Sequence, residues 1–276
     1  MLSSNVEFAI VSDPGLKRTH NEDSALTDRS LGLALIADGM GGYKSGEVAS
    51  AIAAQCVLEG IRENHNKHHF VRGTDEQKTS QEGLLIRKVI CAANQRIFRT
   101  AHALPQCHGM GTTIVAALFS ENHVTLAHVG DSRIYRFRNN QMSQVTNDHS
   151  LLQELIDRGF YTPEDARANT PKNLVTRALG IDEQVAVEVT EHATEEGDIF
   201  LLCSDGLNDM VEDEEISLTL GKYSANLLTC AKELVRLANQ NGGKDNVSVV
   251  LARPRAPTNE GVSLLARLKK LLFRAS

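Results

Sequence analysis

No stretch of eighteen apolar residues occurs in the 276-residue chain, so no segment is expected to span a membrane as a helix. The opening Met1-Leu2-Ser3-Ser4-Asn5 lacks a basic region and an apolar stretch, and no secretory leader is expected there. Five cysteines (Cys56, Cys91, Cys107, Cys203, Cys230) are odd in number and include no C-x-x-C pair. Their pattern excludes a structural zinc site and suits a reduced, cytoplasmic protein. There is no H-E-x-x-H pattern either, and His65, His68 and His69 fall in a polar stretch without a companion cysteine, which reads as solvated surface. Gly39 to Ser45 is not a P-loop, because Tyr43 stands where that motif needs glycine and the spacing is short. Cys91 and Arg96 are separated by four residues, whereas the phosphate loop of a cysteine phosphatase needs about five. Repeats of fixed period are missing too.

What is present begins with 41% hydrophobic residues, enough for one large domain or two small ones with a real core. The net charge of −6 is uneven. After Ala252 the tail carries six Lys/Arg and one acid, Glu260, which leaves 23 basic and 34 acidic residues in the body. A body at −11 argues against nucleic acid as the main partner, and suits a site that gathers carboxylates around cations.

Apolar runs set the organisation. Val6 to Val11 and residues 33–37 have strand character, and Ser12-Asp13-Pro14-Gly15 reads as a turn. A small-residue helix is expected from about Ser45, a polar loop over 62–82, and a second helix carrying Leu85, Val89, Ile90, Ala93 and Ile97. Gly111–Leu118 and Val124–Val129 read as a hairpin across Ser120-Glu121-Asn122. Ile134–Phe137 and Met142–Val145 are expected to continue that meander around Asn139-Asn140. Leu151 to Arg158 reads as a short helix stopped by Gly159, and Thr162-Pro163-Glu164-Asp165 as a helix start. Val185–Val189 and Asp198–Cys203 return to strand. Ser224 to Asn239 reads as an amphipathic helix with Leu227, Leu228, Ala231, Leu234, Val235 and Ala238 on one face, and residues 246–252 form the last strand. Hairpin-linked strands with inserted helix pairs, and no regular βαβ alternation, predict an α+β domain on antiparallel sheets.

Three of the apolar runs end on an aspartate flanked by small residues: Asp38 before Gly39, Asp131 after Gly130, and Asp205 before Gly206. A fourth, Asp245, opens the last run. Strand ends that each deliver a carboxylate to one cleft make an all-oxygen site for hard divalent cations. Asp38-Gly39-Met40-Gly41-Gly42 adds backbone freedom that lets the Gly39 carbonyl approach an ion. Arg18, upstream of Asn21-Glu22-Asp23, offers a guanidinium suited to bidentate phosphate recognition, while Glu22 and Asp23 can hold metal or its water. Taken singly, each motif also reads as an acidic turn or a local ion pair.

Eight elements in order carry a resemblance to a known family. They are Ser12-Asp13-Pro14-Gly15 with Arg18 and Asn21-Glu22-Asp23; Ala37-Asp38-Gly39-Met40-Gly41-Gly42; Gly109-Met110-Gly111-Thr112-Thr113; and Val129-Gly130-Asp131-Ser132-Arg133. Then come Asp148-His149-Ser150-Leu151, Leu174 to Gly180, Ser204-Asp205-Gly206-Leu207 and Asp245-Asn246-Val247-Ser248. The chain resembles bacterial metal-dependent Ser/Thr protein phosphatases of the PPM (type 2C) family. The resemblance implies two antiparallel sheets packed face to face with helix pairs outside. It implies a catalytic domain over 1–252, a flap over about 150–182, and a separate tail over 253–276. Two Mn²⁺ or Mg²⁺ ions are implied, with Asp38 bridging, the Gly39 carbonyl on one ion, Asp205 and Asp245 completing the other, and Glu22 holding metal-bound water. Asp131 with Asp205 corresponds to a weaker third site, and Arg18 takes the substrate phosphate. Asp38 and Arg18 are the catalytic candidates.

Such a pair of ions supplies what phosphomonoester hydrolysis requires, an acidified water and a clamp on the in-line path. The implied activity is hydrolysis of phosphoserine and phosphothreonine on proteins, opposing a Ser/Thr kinase. The alternatives are a non-catalytic phosphoprotein-binding module of the same fold and a phosphatase dedicated to one small regulatory protein. A monomer is expected. Two departures stand out. Met40 occupies the position of a histidine proposed as general acid in animal members, and Asn169-Thr170-Pro171 lacks the histidine common before that proline. His149 reads as a cap-region or a substrate-side residue, and Met110 and Met40 as packing. In the tail, Leu264, Leu265, Leu268, Leu271 and Leu272 share a helical face opposite Arg267, Lys270 and Arg274. That face either lies on an acidic membrane surface or a partner, or packs on the domain itself.

Overall fold

The computed structural model describes residues 5–41, 45–65, 80–162, 165 and 174–255. Eleven strands and six α-helices lie among them. One sheet has the order β1 (Val6–Asp13), β11 (Val247–Pro254), β10 (Ile199–Cys203), β7 (Arg133–Arg138), β8 (Gln141–Gln144). The other runs β2 (Asp23–Asp28), β3 (Leu33–Met40), β5 (Ile114–Phe119), β6 (His123–Val129), β9 (Glu188–Ala193), with the two-residue β4 (Gly111–Thr112) paired to the end of β3. Every pairing is antiparallel.

Period-2 alternation sorts the strand residues into three apolar layers. On β3, Ala34 and Ile36 face the second sheet, while Leu33, Leu35 and Ala37 face outward. On β10, Phe200 and Leu202 face inward while Ile199, Leu201 and Cys203 face outward. Phe119 sits edge-on to both Phe8 and Phe200, with ring centroids 6.1 and 5.6 Å apart. The outward face of the β3 sheet is covered by α1 (Ser45–His65) and α2 (Gln81–Ala103). The outward face of the other sheet is covered by α5 (Asp213–Tyr223) and α6 (Leu227–Gln240). The result is the four-layer αββα sandwich that the resemblance implies.

Several boundaries differ from the sequence reading. The strand β2 was not anticipated; all six of its residues are half-buried and two are acidic, so it carries no apolar signature. The meander does not continue past Val129. The chain crosses between sheets at residues 130–132, and the β7–β8 hairpin belongs to the opposite sheet. Its turn at Asn139-Asn140 has φ of 51° and 59°, the left-handed pair a two-residue hairpin requires. The helix expected from Ser224 starts at Leu227, capped by Asn226, whose side chain accepts from Thr229 N–H at 3.0 Å. Leu228 lies outside its buried face. Helix α5, the four-residue α4 (Asp205–Asn208) and the start of β9 at Glu188 rather than Val185 were likewise not foreseen. Helix α1 continues into the expected loop as far as His65. The short α3 (Leu151–Asp157) ends before Gly159, which has φ of 72°. Asp165 is helical, and its N–H donates to Thr162 Oγ1 at 3.1 Å, as the expected helix start requires. His68, His69, Asn169-Thr170-Pro171 and the amphipathic stretch Val262–Arg274 lie outside the described residues.

Candidate metal centre

The alternation that fills the sandwich also aims its carboxylates. Asp38 follows Ala34 and Ile36 on the inward parity of β3, so it sits at the mouth between the sheets. Its backbone is clamped there: Asp38 N–H donates to Thr113 Oγ1 at 3.1 Å, and its carbonyl accepts from Thr113 N–H at 2.9 Å and Thr112 Oγ1 at 2.8 Å. The register of β2 on β3 sets Asp23 directly opposite Asp38.

The second sheet supplies the facing wall. Ser204 follows β10 on its inward parity and caps α4, which Asp205 opens. Ser204 Oγ donates to Asp23 Oδ2 at 2.8 Å and accepts from Ser248 N–H at 3.0 Å. Gly206 is packed so closely that a Cβ would overlap the Asn246 carbonyl. Asp245 precedes β11; its Oδ1 accepts from Asn246 N–H at 2.8 Å and its Oδ2 pairs with Arg18 at 2.7 Å. The Asn246 amide ties the Arg18 loop to this strand. It donates to Pro14 O at 3.0 Å and His20 O at 2.8 Å, and accepts from Glu22 N–H at 2.8 Å. Asp131 lies in the crossing between the sheets, after Gly130 at φ of 107°.

These residues line one cleft of about 250 Å³: Arg18, Glu22, Asp38, Gly39, Asp131, Asp205 and Asp245 all face it, with Met40 and Val175. An adjoining cleft of about 170 Å³ shares Asp131 and Asp205 and adds Asp148, Asp209 and Asp213. Every residue expected at the site is therefore brought together. Asp23 and Asn246, neither among the residues expected at the site, also support it: Asp23 faces Asp38 across the β2–β3 ladder, and Asn246 holds the Arg18 loop. Met110 is fully buried core as expected, but Met40 borders the cleft. No histidine is among the described residues lining the cleft.

The electrostatics fit an ion-binding cavity. Burial, then Asp23, Asp205, Asp131 and Asp245, push the Asp38 carboxyl well above the usual carboxylate range. Burial, then Asp131, Asp209 and Asp245, do the same to Asp205. Asp131 is pushed up to about 6 by burial and then by Asp148. Burial also raises Asp23 and Glu22. Buried like charges of this kind call for a compensating cation. Asp23 Oδ1, on the residue opposite Asp38, is buried without a hydrogen-bond partner. Carboxylates with one carbonyl form the donor set that hard cations such as Mn²⁺ and Mg²⁺ take. The residues present fit a pair of such ions.

Comparison with known proteins agrees with this geometry. A family model described as protein phosphatase 2C matches residues 17–248. Serine/threonine phosphatase stp of Listeria welshimeri is 36% identical over 244 residues, spanning 87% of this chain and 92% of that protein. The crystal structure of the Mycobacterium tuberculosis serine/threonine phosphatase PstP/Ppp superimposes with a TM-score of 0.79 at 35% identity, covering 91% of this chain and 99% of that one. A structure of the PstP catalytic domain in complex with two manganese ions gives 0.76 at 36% identity, covering 90% and 97%. On the sandwich, the gathered carboxylates and these matches, the chain belongs to the protein phosphatase 2C family.

Proposed function

We propose that the cleft hydrolyses phosphoserine and phosphothreonine in proteins, with two divalent cations, Mn²⁺ or Mg²⁺, held by this carboxylate set. The observation that carries the reading is the convergence of Asp38, Asp205 and Asp245 from both sheets on one cleft with Arg18 at its rim. When bound, two such ions supply an acidified water and neutralise phosphoryl oxygens along the in-line path. Asp38, the Gly39 carbonyl, Asp205 and Asp245 would hold the two ions, and Asp131 with Asp205 would hold a weaker third. Arg18 donates to the phosphate oxygens, exchanging its present partner Asp245 for substrate. Glu22 accepts hydrogen bonds from water in the site and so orients it. The proton donor to the leaving group is not Met40.

The complete carboxylate set and the metal-bound relative favour turnover over a non-catalytic binding module. Phosphoproteins are the substrate class. A Ser/Thr kinase working in opposition, a cytoplasmic monomer, a catalytic domain over 1–252 and a docking role for the 253–276 tail complete the proposal. Among the described residues, no helix is long and apolar enough to cross a membrane. The test is Mn²⁺-dependent release of phosphate from a phosphothreonine peptide. EDTA is expected to abolish it, and Asp38→Ala or Asp205→Ala to lower kcat by roughly a thousandfold, the scale of several kcal/mol of transition-state stabilisation. Turnover that survives EDTA, or either variant, defeats the proposal.

A further inference from the structure

His149 joins two parts of the molecule that both border the cleft. On one side it is bonded twice to Gly130, the residue before Asp131. His149 N–H donates to Gly130 O at 3.0 Å, and Gly130 N–H donates to His149 Nδ1 at 3.0 Å. On the other side His149 O accepts from Thr176 N–H at 2.8 Å, Ser150 bridges Val175, and Leu151 N–H donates to Leu174 O. Residues 149–151 therefore lie between the turn that carries Asp131 and the returning end of the 150–182 segment, where Val175 lines the cleft. That return runs on to Leu179, which exchanges backbone bonds with Thr112, whose hydroxyl holds the Asp38 carbonyl.

The imidazole is buried, and its tautomer follows from its partners. A backbone N–H can only donate, so Nδ1 presents its lone pair to Gly130 and Nε2 carries the proton. Nε2 faces Glu188 Oε1 at 3.5 Å, and the ring stacks on His128 at 4.6 Å. Arg177 Nη1 lies 3.0 Å from Nε2. Both atoms are donors, so this contact is not a hydrogen bond, and Glu188 offsets the charge of Arg177. His128, His149 and Glu188 cluster as metal ligands sometimes do. Here, however, the rings are stacked at 19°, which sends their lone pairs into parallel planes, and Arg177 occupies the approach. The cluster is built to hold a peptide plane.

We propose that His149 is a positioning residue: its Nδ1 fixes the Gly130 peptide and with it the aim of Asp131, and its backbone ties that turn to residues 174–176 beside the cleft. The proposal rests on the phosphatase reading, and its test separates the two. Mn²⁺ binding is measured by titration calorimetry on the whole chain, together with KM for a phosphothreonine peptide and for a small aryl phosphate. His149→Leu removes the acceptor, whereas His149→Asn keeps one near the position of Nδ1. The leucine variant is expected to weaken the weakest Mn²⁺ step about tenfold, the scale of a buried donor left unsatisfied. It should also raise KM for the peptide more than for the aryl phosphate. The asparagine variant should recover most of both. Should the leucine protein fail to fold, His149→Ser, too short to reach Gly130, replaces it. Equal losses in the acceptor-bearing and acceptor-free variants, or unchanged Mn²⁺ binding in both, overturn the proposal. Normal Mn²⁺ binding without turnover in the unaltered chain would instead overturn the phosphatase reading alone.

Discussion

Arg18 and Asn246 show how differently single side chains contribute to the cleft. Arg18 is more than half exposed and paired with Asp245, so its guanidinium can turn to an incoming phosphate with little desolvation. Its charge acts on substrate and transition state alike. Arg18→Ala should therefore raise KM about tenfold, the worth of one charge-assisted hydrogen bond, and lower kcat less than about threefold. Steady-state kinetics on a phosphopeptide checks this, and a kcat loss with unchanged KM refutes it. The aspartates at 38, 131 and 205 were legible in the sequence because each ends an apolar run between small residues, and Asp245 because it opens the last such run, a local signature in every case. Asn246 and Ser204 were not, because what they do is defined by partners far away in the chain. Glu22 lies 224 residues from Asn246, and Asp23 lies 181 from Ser204. Nothing within a short window marks such a residue.

Among the elements, the outer helices and the inner strands have separable duties. Helix α6 buries Leu227, Ala231, Leu234 and Val235 against the outward face of its sheet, on the side away from the inter-sheet layer that ends in the carboxylates. Leu234→Ala should cost about 2–5 kcal/mol of stability by leaving a cavity. KM and the Mn²⁺ requirement should stay within about twofold. Denaturant unfolding and steady-state kinetics make the comparison, and a large shift in KM would show that the helix layer reaches the site. The helices and hairpins were readable wherever one period dominated, as in α2 and the β5–β6 pair. Reading failed at β2, whose six half-buried residues carry no apolar face, and at residues 130–132, where alternation continues while the chain changes sheets. Alternation fixes which face is buried, not against which layer it is buried.

Over the whole molecule, the metal-free fold carries a cluster of carboxyls raised above their unfolded values, Asp131 to about 6. Between about pH 4 and these raised values the folded state binds more protons than the unfolded state, so these groups lose stability as pH rises. The buried imidazoles of His149, held at about 4 by burial and then by His128, and of His128, lowered mainly by burial, act in the opposite sense. Their contribution is lost as pH falls below about 6.5, for His149 toward about 4. Protonating His149 also removes the acceptor proposed to position Asp131, so it weakens the Mn²⁺-loaded protein at low pH and acts in the same direction on the difference. The gain in Tm from EDTA to saturating Mn²⁺ should therefore grow from pH 5 to pH 7.5, and shrink in Asp38→Asn. Thermal melts in both conditions test this, and a gain independent of pH would refute it. One consequence comes from the seam itself. Asp38 lies on one sheet with Glu22 just before its β2, Asp205 and Asp245 lie just outside β10 and β11 of the other, and the filling of Ile36, Phe119, Phe200 and Leu202 sets the gap between the sheets. Cations held between the two walls as proposed would work as a calliper on that filling. A swollen or thinned hydrocarbon layer would change the jaw width, so the grip on the ions would register how well the interior of the sandwich is packed.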